Sequence, residues 1–271
     1  MSGKNKKKAF DNLFAGIEEV RENGELINTV LYSKNGNYSV IFRINNPVEQ
    51  YCADIDKYYD YADIIGNIVK TLGEGYCLQK QDIFCRQAFE HKYGEKTEFL
   101  SKSYFDYFRG RQYMEISTYI IVTQELKKGA FFQYDAKQWD MFHTKVQKVE
   151  DILSEKKISY SKLVKREIEE YLHRYMSFSF KRGAYSLNNF KANDEELKIG
   201  NNTLKCFSVV DIDEVSTPSE VRPFIDKSIN GASMPMDLLS FLANIPESDC
   251  TIYNQVIMVP NQRKEMMKLI G

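Results

Sequence analysis

Apolar residues recur at every second position from Tyr38 to Ile44, placing Tyr38, Val40, Phe42 and Ile44 on one face of a strand. A second apolar run at 29–33 precedes it. Between the two lies Lys34-Asn35-Gly36-Asn37, and an Asn-Gly pair supplies the positive φ angles of a type I′ hairpin turn, so 29–44 reads as a hairpin ended by Asn46-Pro47. The period then changes. Tyr58, Ala62, Ile65, Val69 and Leu72 recur at three- and four-residue steps, which predicts a helix over 54–71 with Gly73 as its stop. A strand is expected at 75–84, a helix at 95–109, and a long strand rich in β-branched and aromatic residues at 112–123. Trp139, Phe142, Val146, Val149 and Leu153 define a helical stripe over 136–153. Leu163, Ile168, Tyr171 and Tyr175 define another over 159–176.

Past this point the pattern weakens. The stretch 188–202 is polar, 203–210 reads as a strand, and Pro218, Pro223 and Pro235 punctuate turns. A short helix is expected at 236–243, a last strand at 250–259, and a helix beginning at Arg263 that runs to the end of the chain. The mixture of hairpins and crossovers predicts an α+β fold: a mixed or antiparallel sheet with helices packed on one face. The expected organisation is a disordered basic tail at 1–9, a main α+β domain at 10–187, and a second α+β portion at 188–271, either separate or part of the same domain.

Composition narrows the classes. Tyr and Phe number 18 and 17 in 271 residues, far more aromatic surface than a disordered chain carries. The net charge is −1, which lowers the expectation of a dedicated nucleic-acid binder without excluding a local basic patch. No apolar run approaches the roughly 18 residues that span a bilayer, so the chain is expected in the cytoplasm, at most docked on a membrane. Cys52, Cys77, Cys85, Cys206 and Cys250 show no C-x-x-C spacing and read as reduced thiols, packed as small apolar side chains.

Catalytic signatures are absent from the sequence. No glycine opens a phosphate-cradling G-x-x-x-x-G-K-[ST] string, and Gly73-Glu74-Gly75 reads as a helix-to-strand turn. His91, His143 and His173 lie far apart and have no neighbouring cysteine ligands, with His143 and His173 expected among polar residues on helices. Asp211-Ile212-Asp213-Glu214 offers three carboxylates but lacks the further acids and glycine of a calcium loop, and reads as a solvated acidic turn. The most suggestive segment is Tyr104, Phe105, Tyr107, Phe108, Arg109, Arg111 and Tyr113. Aromatics interleaved with arginine suit a protein interface, where both are frequent hot spots, or a single-stranded nucleic acid whose bases stack on the rings. The same residues also suit an amphipathic helix feeding a core strand. Tyr104, Tyr107, Phe108, Arg109 and Arg111 are the candidate partner-binding residues.

Several short strings carry a resemblance. Gly36-Asn37-Tyr38-Ser39-Val40, Asn46-Pro47-Val48, Leu72-Gly73-Glu74-Gly75-Tyr76, Lys80-Gln81-Asp82-Ile83-Phe84, Leu197-Lys198-Ile199-Gly200, Asp211-Ile212-Asp213-Glu214 and Tyr253-Asn254-Gln255 occur in that order. Together they resemble the amino-terminal region of TraG proteins of Bacteroides-type conjugative transposons, ATPases related to the VirB-type motor of type IV secretion. The resemblance implies a docking and assembly domain that acts in conjugative DNA transfer, peripheral on the inner membrane. Its implied partners are inner-membrane subunits of the secretion channel, its own carboxy-terminal motor domain and other copies of itself; single-stranded DNA is the alternative partner. ATP and magnesium are implied for the motor, not for these residues, since no P-loop lysine or metal-binding serine has a counterpart here. On this reading the chain is no enzyme by itself, and the helix opening at Arg263 is where it would be cut before the motor.

Overall fold

The computed structural model describes residues 13–47, 55–90, 98–125, 136–181, 190–199, 202–208, 222–226, 232–236, 248–260 and 266–267. The expectations for 1–9, His91, 211–214, 236–243 and the helix from Arg263 therefore lie wholly or almost wholly outside the described residues, as does Cys52. The centre is a seven-stranded sheet in the order β1 (Phe14–Glu22), β2 (Glu25–Ser33), β3 (Tyr38–Ile44), β5 (Gln112–Gln124), β4 (Tyr76–Ala88), β12 (Cys250–Met258), with short β6 (Tyr160–Lys162) also on β3. Every described pairing in it is antiparallel. Among the described residues four helices accompany it: α1 (Ile55–Leu72), α2 (Phe99–Phe108), α3 (Ala136–Glu155) and α4 (Lys165–Ser177). This is the α+β class that the pattern predicts. None of these helices is long and apolar enough to cross a membrane.

Strand alternation divides the core in two. Val40, Phe42 and Ile44 of β3, Leu78 of β4, and Ile120 and Val122 of β5 face α1 and α3. The helices meet them with Tyr61, Ile64, Ile68 and Leu72, and with Phe142, Val146, Val149 and Leu153. The α3 stripe is the expected one, whereas on α1 Tyr61 and Ile64 point inward in place of Tyr58 and Ala62, and Ala62 is exposed. Leu31, Ile41, Ile83 and Ile121 look the other way, onto Leu163 and onto Ile168, Tyr171 and Leu172 of α4. Helices therefore cover both faces, not one. The reason is that the central strands carry apolar residues at successive positions, Val40-Ile41-Phe42 and Ile120-Ile121-Val122, which demand cover on both sides. The segment expected as one helix over 159–176 is split, because Tyr160–Lys162 pairs with Ile44–Phe42 before α4 begins. The Val164 amide donates to Glu167 Oε2 at 3.0 Å and marks that beginning.

The turns also differ from expectation. In the 33–38 connection the Gly36 amide donates to Ser33 O at 3.0 Å, and Gly36 alone has positive φ, so this is not a type I′ turn. The type I′ turn is at Asn23-Gly24, φ 52° and 87°, which joins β1 to β2. Gly73 does end α1, with φ 73° and its amide on Val69 O at 3.0 Å. Beyond α4, β7 (Phe190–Ala192), β8 (Leu197–Ile199) and β9 (Asn202–Leu204) form a small meander, and β10 (Arg222–Asp226) pairs with β11 (Ala232–Met236). Pro223 and Pro235 sit opposite each other inside β10 and β11, not in turns; both strands are sheet edges, where a missing amide is tolerated. The chain then returns to the main sheet as β12, beside β4.

Candidate functional site

β4 and β5 are the longest strands, paired without a break from Tyr76↔Gln124 to Ala88↔Gln112. β3 accompanies β5 only as far as Thr118, opposite Ile44. Beyond that point the β4–β5 ribbon continues for about 20 Å at roughly 3.4 Å per residue, with β12 still paired to β4 as far as Cys85, so that only Arg86–Ala88 and Gln112–Met114 form a two-stranded end. A buried polar cluster sits at its root. Asp82 Oδ1 accepts from Thr118 Oγ1 at 2.7 Å, Asn46 Nδ2 donates to Thr118 Oγ1 at 3.0 Å, and the Lys80 ammonium pairs with the Asp82 carboxylate.

Helix α2 is carried in the connection at the far end of this ribbon. The Phe89 amide donates to Arg111 O at 2.8 Å and the Gly110 amide to Phe89 O at 2.9 Å, so the helix is closed off where the ladder would otherwise continue. Gly110 turns the chain there with φ 76°, a value that favours glycine. Phe105 stacks on Phe89 with centroids 6.2 Å apart, and Phe108 meets the same ring at 6.2 Å. Tyr104 and Tyr107 then pack on Phe108 at 4.7 and 5.1 Å.

This packing leaves the helix uncovered. No residue of α2 is buried. Phe99 is 79% exposed, Leu100 78%, Tyr104 58% and Tyr107 62%. Taking ~200 Å² for a large side chain, these four residues present roughly 500 Å² of largely apolar surface, at the top of what a monomer ordinarily exposes in one patch. The segment does lead from a helix into the core strand β5, as the amphipathic-helix reading has it, but the helix itself buries no residue. Leu100 continues the stripe of Tyr104, Tyr107 and Phe108 at helical spacing.

The two arginines play different parts. The Arg111 guanidinium lies 3.8 Å from the Tyr107 centroid and 5.4 Å from that of Phe108, a cation–π stack that stiffens both rings. Arg109 pairs with Asp106 at 2.8 Å. Between residues 98 and 111, Lys102, Arg109 and Arg111 stand against Glu98 and Asp106, so the segment has an excess of one positive charge. Elsewhere, His143 lies on a helix as expected, with its Nδ1 2.7 Å from the polar Asn28 Nδ2, but it also packs against the Trp139 and Phe142 rings. Among the described residues, no three His, Cys, Asp or Glu side chains form a group able to hold a metal ion. The described thiols are not uniformly buried either, since Cys206 is exposed. No family model and no curated protein matches the chain. The TraG resemblance thus rests on the ordered strings alone.

Proposed function

We propose that this chain is a docking and assembly domain, and that the exposed aromatic face of α2 is its contact surface. The observation that carries this reading is a helix of ten residues, rich in Tyr and Phe, that buries none of them and is carried beyond the end of the β4–β5 strand pair. Rigid aromatics lose little side-chain freedom on binding and are the commonest anchors of protein interfaces. The TraG resemblance supplies the setting: a conjugation ATPase placed on the inner-membrane subunits of its secretion channel, with association between copies as part of the same role. The chain then serves conjugative DNA transfer without chemistry of its own.

The rival reading, a single-stranded-DNA contact, is weaker on charge. Phosphate binding needs several free cations, and here Arg109 is paired with Asp106 and Arg111 is stacked on Tyr107, with an excess of only one positive charge. The test is capture of the purified chain by reconstituted inner-membrane channel subunits, compared with Tyr104→Ser/Tyr107→Ser. Capture of the wild type alone supports the proposal. Equal capture of both proteins, or of neither, removes it.

A further inference from the structure

Cys85 and Cys250 lie 165 positions apart in the sequence and directly opposite each other on β4 and β12. The Arg86 amide donates to Asp249 O at 2.9 Å, which makes Cys85–Cys250 a non-hydrogen-bonded pair of the antiparallel ladder. In such pairs the Cα atoms stand about 4.5 Å apart with their side chains close, inside the range that a disulfide bridges. Cys85, itself buried, lines a groove of about 350 Å³ with Arg43, Glu115, Tyr119, Arg174 and Lys181 around it, and Cys250 is half-buried.

We propose that Cys85 and Cys250 are a redox modification site, a dithiol that closes reversibly into a cross-strand disulfide and clasps the edge strand β12 to β4. The oxidant is a low-molecular-weight disulfide of the glutathione type. The Cys85 thiolate attacks one sulfur of that disulfide, forming a mixed disulfide and expelling one small thiolate. Cys250, giving up its proton, then attacks Cys85 Sγ and expels the second. The small disulfide is reduced to two thiols, and the protein dithiol is oxidised with loss of two hydrogens. The roles follow from the surroundings. Contact with Cys250, aided by the Lys181 ammonium, holds the Cys85 thiol below its ordinary range, whereas contact with Cys85 and burial push Cys250 up. The site is independent of the docking surface on α2.

The experiment incubates the whole chain in glutathione buffers of graded poise, quenches with acid, alkylates and maps the peptides. The expected result is a Cys85–Cys250 disulfide in the more oxidising buffers, reversed by dithiothreitol. Oxidation should raise Tm by roughly 5–10 °C and slow amide exchange in β12; both effects should vanish in Cys250→Ser. Cys250→Ser should instead trap glutathione on Cys85, and Cys85→Ser should react at least about tenfold more slowly. Both thiols remaining alkylatable in the oxidising buffer would overturn the proposal, as would a disulfide that joins either to Cys52, Cys77 or Cys206.

Discussion

Asp82 is the most consequential single carboxylate in the described fold. It is fully buried on β4, pairs with Lys80 on the same face, and accepts from Thr118 of β5 at 2.7 Å. Asp82→Ala would strand the Lys80 ammonium, whose side chain is 7% exposed, and deprive the Thr118 hydroxyl of its acceptor. Removing one partner of a buried ion pair costs about 3–5 kcal/mol, because the remaining charge stays desolvated without compensation. Asp82→Asn keeps an acceptor oxygen for Thr118 and should fall between Asp82→Ala and the wild type. The double variant Lys80→Met/Asp82→Leu removes both charges and fills the space, so it should return to within about 1 kcal/mol of the wild type. Urea unfolding followed by Trp139 fluorescence reads all four proteins. Since Thr118 is also the last β5 residue paired with β3, Asp82→Ala should in addition speed amide exchange along 113–117. A cost below about 1 kcal/mol for Asp82→Ala at unchanged m-value would refute the reasoning, as would a double variant no better than the single one.

Other expectations follow from single sites. Asn28 Oδ1 accepts from Lys162 at 3.0 Å, so the Asn28 amide presents its NH₂ to His143 Nδ1 and favours the neutral ring. Burial, with the Lys162 charge, lowers the His143 pKa from 6.5 against the opposing pull of Asp140. The unfolded chain therefore takes up a proton that the folded one resists. This part of the stability is full above about pH 6.5 and declines as pH falls, by at most about 1.4 kcal/mol per pH unit, and His143→Asn should flatten the profile in acid-range urea titrations. Gly24→Ala places a side chain at φ 87° in the β1–β2 turn and should cost about 1 kcal/mol. Gly66→Ala lies inside α1 with open space for a Cβ and should stabilise by up to about 1 kcal/mol in the same assay. Tyr104→Ser/Tyr107→Ser should leave stability within about 0.5 kcal/mol per site, because neither ring is buried.

Much of the core was legible because its periods are strong. The β3 alternation and the α3 stripe are both found where the sequence puts them. What was missed depends on pairing at a distance. β1 escapes the pattern because its register slips twice, near Gly16 and at Val20–Arg21, which breaks the alternation. Two Asn-Gly pairs compete for one signal, and the flanking strand that would single out Asn23-Gly24 is that same β1. Tyr160–Lys162 sits within a helical apolar pattern, yet the β3 edge left free by β2 captures it. The aromatic segment of α2 was visible, but its exposure was not. Periodicity reports a stripe and says nothing about whether anything covers it. Nor does spacing reveal Cys85 beside Cys250, which only the return of β12 to the main sheet brings together.

The most direct measurement on the docking account is a binding isotherm of the chain with purified inner-membrane channel subunits, taken at low and high salt beside a single-stranded oligonucleotide. The account predicts subunit binding that varies little with salt and weakens at least about thirtyfold in Tyr104→Ser/Tyr107→Ser, with the oligonucleotide binding far more weakly. Subunit binding indifferent to those two residues would contradict it. So would tight, steeply salt-dependent oligonucleotide binding that is lost in Arg109→Ala/Arg111→Ala.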